Sequence, residues 1–114
     1  MLKTTQACKS VLAERARQDS LWGIQNHDPF TFLTLLGEEY GEACQAAAQA
    51  LYDGKSIDRI REEVVQVAAL ALAIVECLDR GQWQWPSKKI QSLEAENKML
   101  QEKLAALEDL PLDS

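Results

Sequence analysis

The stretch Val64 to Val75 is 12 residues long and carries a single polar side chain, Gln66. A helix formed there is apolar around nearly its whole circumference, so it needs neighbours on more than one side. It is also well short of the ~20 residues that a membrane span requires. A segment of this kind belongs inside a helical bundle, and no strand-like alternation or hairpin dipeptide elsewhere competes with helical periodicity. The expected fold class is all-α. At 114 residues the chain suffices for one compact core and not for two.

Helix punctuation divides the chain. A first helix is expected from about Thr4 to Trp22, with Cys8, Val11, Leu12, Arg15 and Trp22 near one face and Gly23 as its stop. After the linker 24–28, Asp28 suits an N-cap and Pro29 the first turn of a second helix, which Gly54 closes. Ser56 caps a third, ending at Gly81. Cysteines 8, 44 and 77 sit among helix-period apolar residues, where a reduced thiol acts as a small hydrophobe; their spacing offers no zinc motif.

Beyond Pro86 the pattern changes. Ile90, Leu93, Asn97, Leu100, Leu104 and Leu107 recur at steps of 3, 4, 3, 4 and 3, an a/d heptad seam with Leu at d and one amide at a, a device that fixes register in a two-stranded coiled coil. Over so short a stretch, periods of 3.5 and 3.6 barely separate, and residues 88–109 suit equally a fourth amphipathic helix folded back on the bundle. The expected organisation is a helical domain over 1–86, a coiled-coil or fourth helix over 87–110 and a frayed tail over 111–114. Trp83 and Trp85, flanking Pro86, are expected to pack the linker.

Eighteen acidic against 12 basic side chains give a formal charge of −6, the wrong sign for a broad nucleic-acid-binding face. No membrane partner is expected either. The N-terminal Met1-Leu2-Lys3-Thr4-Thr5-Gln6 lacks an apolar export signal, which points to the cytoplasm.

The acidity is not evenly spread. On the second helix Glu38, Glu39 and Glu42 fall within a 100° arc that also holds Leu35 and Ala46. On the third, Glu63 is in register with Val67, Leu70 and Ile74, at steps of 4, 3 and 4, so it points inward. Several buried like charges are strongly unfavourable without a cation. An all-oxygen set suits Mg²⁺, with Mn²⁺ as the alternative.

Glu38-Glu39-Tyr40-Gly41-Glu42 has the form E-E-x-x-E, and Glu63-Val64-Val65-Gln66 follows after 20 intervening residues. With Glu14-Arg15-Ala16-Arg17-Gln18, Leu21-Trp22-Gly23-Ile24-Gln25-Asn26-His27 and Val65-Gln66-Val67-Ala68-Ala69-Leu70, this resembles the short phage-type and bacterial MazG-like all-α nucleoside triphosphate pyrophosphohydrolases over residues 11–80. The resemblance implies a bundle that forms a homodimer or dimer of dimers, binds Mg²⁺ between helices and hydrolyses a (deoxy)nucleoside triphosphate to monophosphate and pyrophosphate, a nucleotide-pool housekeeping activity. It assigns Glu39, Glu42 and Glu63 to metal, Glu38 to the attacking water, and Gln66 to the position where the family has Asp.

Two departures stand out. Gln66 removes one charge and one strong ligand, although an amide oxygen still coordinates. Glu76-Cys77-Leu78-Asp79 does not replace it, since it begins 13 residues beyond Glu63, about 20 Å along a helix. The basic segment that follows the third helix in many relatives is also missing. Phosphate contacts then fall to Lys55, Arg59, Lys88 or Lys89, or to Arg15 or Arg17 across a dimer, and we assign Lys55 and Arg59 as the candidates. His27 suits a structural hydrogen bond or a substrate contact, and Trp22 a packing role or stacking on a base. The contrasting function class is a non-catalytic dimeric nucleotide-binding or interaction protein on the same scaffold.

Overall fold

The computed structural model describes residues 2–110. The expected frayed tail, 111–114, lies outside the described residues, as do the side chains of Lys88, Lys89 and Ile90. Among the described residues all regular structure is helical: α1 (Leu2–Trp22), α2 (Pro29–Asp53), α3 (Asp58–Arg80) and α4 (Ser87–Glu108). Tertiary contacts divide the chain after Trp83 into two compact units.

The punctuation acts as its chemistry dictates. The Asp28 carboxylate accepts the Thr31 N–H at 3.0 Å and the Thr31 hydroxyl at 2.6 Å, and these bonds hold its carboxyl below the usual range. Ser56 is the exception: Ile57 stands at the N-cap of α3 without a side-chain cap bond, and the Ser56 hydroxyl, one residue earlier, accepts the Asp58 N–H at 3.1 Å. Gly54 and Gly81 close α2 and α3 in the left-handed region, at φ 67° and 65°; the Lys55 N–H donates to Gln49 O at 3.2 Å and the Gly81 N–H to Cys77 O at 3.1 Å.

In the first unit α3 packs against both α1 and α2, as a helix apolar on several sides requires. Phe32, Ile74 and Cys77 form the buried centre, with Leu35, Leu36, Leu70 and Trp83 packed around them. Ala43 and Ala46 of α2 and Ala69 of α3 are also buried. The linker before α2 is tied to the end of α3: Arg80 Nη2 donates to Asn26 Oδ1 at 2.9 Å and to Gln25 O at 3.0 Å.

Two expectations are corrected. On α1, Val11 and Arg15 of the expected face are half-buried and the buried residue is Gln18, whereas Leu12 is exposed and Trp22 is 59% exposed. Among the described helices α1 packs chiefly on α3, so a narrow strip of it is covered. Cys8 and Cys44 are exposed, and Cys77 alone of the three thiols is buried. The second unit is built on α4, along which Leu93, Leu100, Leu104 and Leu107 are all exposed.

Candidate metal centre

α2 presents Glu39 and Glu42 three residues apart, and α3 presents Glu63 near its N-terminal end. One carboxylate oxygen from each lies within 4.8 Å of the others. Glu63 is only 9% exposed, because it starts the stripe that continues through Val67, Leu70 and the buried Ile74. Glu39 is half-buried and Glu42 exposed.

Two oxygens of this cluster, Glu39 Oε2 and Glu63 Oε2, are buried without a hydrogen-bond partner among the described residues. Orphaned buried acceptors are costly, and doubly so when charged. The neighbouring cation is Arg59, whose Nε lies 3.8 Å from Glu63 Oε1, but it is 57% exposed and screened by water. Burial pushes the Glu39 carboxyl above the usual carboxylate range, and the charges of Glu42, Glu63, Glu14 and Glu38 push the same way. Three converging oxygen donors with unsatisfied lone pairs fit a hard divalent cation such as Mg²⁺ or Mn²⁺.

Glu14 is the residue to which the sequence assigned no role. Its side chain is 11% exposed, and Arg17, three residues on, grips it by Nε to Oε1 and Nη2 to Oε2, both at 2.7 Å. Gln18 Nε2 adds a bond at 3.4 Å. The Arg17 bonds hold the Glu14 carboxyl below the usual range, and its charge reaches Glu39. The i,i+3 spacing of Glu14 and Arg17 was the available signal, and such pairs are common on solvated helices.

The other expected site residues are placed as follows. Glu38 is exposed, and its oxygens are not among the three that converge. Gln66 is half-buried and lines a groove of about 360 Å³ with Glu14, Arg17 and Arg61. Lys55 is exposed in the connection between α2 and α3. Trp22 borders a separate cavity of about 140 Å³ with Arg15, Phe32 and Leu70. The His27 ring meets Phe32 edge-on at 4.9 Å between centroids, and its carbonyl accepts the Cys77 S–H at 3.7 Å. Arg15 is engaged by Glu76 at 2.8 Å and Asp19 at 2.9 Å. Comparison of the chain with protein-family models, curated proteins and solved structures gives no match.

Proposed function

We propose that this protein is a Mg²⁺-dependent nucleoside triphosphate pyrophosphohydrolase of MazG-like type, releasing monophosphate and pyrophosphate in the cytoplasm. The observation that carries the proposal is the convergence of Glu39, Glu42 and Glu63 with two buried carboxylate oxygens lacking a hydrogen-bond partner among the described residues. Like charges held in this way store repulsion that a divalent cation relieves.

Glu39, Glu42 and Glu63 would hold the metal, with the Gln66 amide as an added, weaker donor. A bound Mg²⁺ supplies neutralisation of charge on the phosphate oxygens and acidification of water. The chain's own part is positional. α2 and α3 fix the three carboxylates from two packed helices, and the water-poor flank of Glu63 strengthens their field on whatever charge arrives. Glu38, exposed beside the cluster, accepts the proton of the attacking water. Lys55 and Arg59, near the same ends of α2 and α3, remain candidates for contacting substrate.

The assembly proposed is a homodimer or dimer of dimers. Its support is the apolar surface left on α3, where Val64 and Val75 are 51% and 52% exposed.

The test is pyrophosphate release from a panel of standard, deoxy and damaged nucleoside triphosphates, with and without Mg²⁺. Activity should require Mg²⁺ and fall at least a hundredfold in Glu39→Ala and Glu63→Ala. Silence across the panel, or activity indifferent to both substitutions, overturns the enzyme proposal. Silence together with retained nucleotide binding would favour the non-catalytic class, to which the neutral Gln66 already lends weight.

A further inference from the structure

Beside the carboxylates, α1 and α3 bound the groove of about 360 Å³ that Gln66 lines. Its polar walls are Ser10, Glu14 and Arg17 from α1 and Arg61, Glu62 and Gln66 from α3. We propose that this groove receives the polyphosphate tail of a nucleoside triphosphate, with Arg61 and Arg17 as its phosphate-binding cations; the proposal rests on the metal-site reading above.

Arg61 is the first support. Its Nη2 donates to Ser10 Oγ at 3.0 Å, and it has no carboxylate partner among the described residues. In a chain with six more acids than bases, a guanidinium left without an acid at a cavity wall has unused capacity for an anion. Its planar fork of N–H donors matches phosphate oxygens. The Gln66 amide, one turn after Glu63, has no hydrogen-bond partner among the described residues either. Two sets of unused donors thus line one groove.

Arg17 is the second support. It is half-exposed, and both of its short bonds go to Glu14, whose charge in turn acts on Glu39 of the metal cluster. Arg17 therefore joins the groove to the carboxylates. Arg15, by contrast, is already held by Glu76 and Asp19.

The groove also contains two acids. Arg17 neutralises Glu14, while Glu62 is exposed with no counter-ion among the described residues. Two guanidiniums against two carboxylates give no net attraction for an anion. Polyphosphate should therefore bind only when a divalent cation fills the adjoining cluster.

The experiment measures two affinities on the full chain: Mn²⁺ by paramagnetic resonance, and inorganic tripolyphosphate by calorimetry with and without Mg²⁺. Arg61→Gln should leave Mn²⁺ affinity unchanged and weaken tripolyphosphate about tenfold. Arg17→Gln should also weaken tripolyphosphate, yet tighten Mn²⁺, because it frees the Glu14 charge. Opposite shifts in one variant are not what simple loosening of α1 produces. Tripolyphosphate bound equally by both variants and the parent, with Mn²⁺ binding intact, overturns the groove alone. Absence of Mn²⁺ binding in the parent overturns the metal site and the groove with it.

Discussion

Glu63 is subject to two opposed demands: its stripe draws it inward with Leu70 and Ile74, and its charge is repelled there by Glu39 and Glu42. Neutralising it should relieve the second without disturbing the first. Glu63→Gln is expected to stabilise the metal-free protein by on the order of 1 kcal/mol, about 5 °C in midpoint. On the proposed metal site, the same substitution should abolish stabilisation by Mg²⁺, expected in the parent to be about 2.7 kcal/mol at a hundred times the Kd. Thermal melts with and without Mg²⁺ check both signs, and a Glu63→Gln variant less stable than the parent without metal would show that the carboxylate is structurally satisfied. The Glu39 carboxyl gives a pH counterpart. A carboxyl whose folded value is raised contributes stability at low pH that is lost as pH rises through that value. Metal-free protein should therefore melt higher as pH falls from neutrality toward the ordinary carboxylate value. Below that value the trend should reverse, as Glu14 and Asp28, both lowered, become protonated. Melts of Glu39→Gln against pH, lacking the first rise, identify its source. Glu63 was legible because one charged residue on an apolar stripe has nowhere else to point. Glu14 was not, because α1 has no such stripe, and its field reaches Glu39 only once α1 has docked.

At the scale of elements, the helix ends were legible to within about two residues. Asp28-Pro29, Gly54 and Gly81 each act through their own backbone or nearest N–H, which needs no knowledge of the fold, whereas Ser56 leaves the N-cap of α3 to Ile57. Gly81 gives a clean measure of this local chemistry. A Cβ there would meet nothing within 4 Å, so only its φ of 65° opposes a side chain. Gly81→Ala should cost about 1 kcal/mol in denaturant unfolding, with an unchanged slope. A loss several times larger would mean the turn is held by packing. The linker 23–28 shows what local chemistry leaves out. Its anchor, Arg80, lies 54 residues from Asn26 in sequence, and the same distance problem hid the pairing of Arg15 with Glu76. The buried face of α1 was legible only in part, for a related reason. Val11 and Arg15 are half-buried and Gln18 is inside, while Leu12 and Trp22 are outside, so the strip covered is narrower than apolar content suggested and is set by where α3 lies.

The whole molecule is short of partners for its apolar surface. Among the described residues six hydrophobic side chains are buried, while Val64, Val75 and Leu78 on α3 and the four seam leucines of α4 are exposed. A helix apolar on several sides that meets two neighbours still has a side uncovered, and a second copy supplies a surface of the same kind. The α4 seam has a different logic: read as a heptad seam, Leu at d with Asn97 at a would call for a partner helix in register, separately from the α3 surface. The two surfaces therefore predict separable associations. Light scattering should give the full chain as a dimer or tetramer, and truncation after Pro86 should lower that mass without producing a monomer, because the α3 surface remains. Asn97→Leu in the full chain should keep or strengthen association while broadening the oligomers formed, since the amide that fixes register is gone. An unchanged mass on truncation would assign α4 to its own chain, and a monomeric truncated protein would mean that the α3 surface is covered by something other than a second copy.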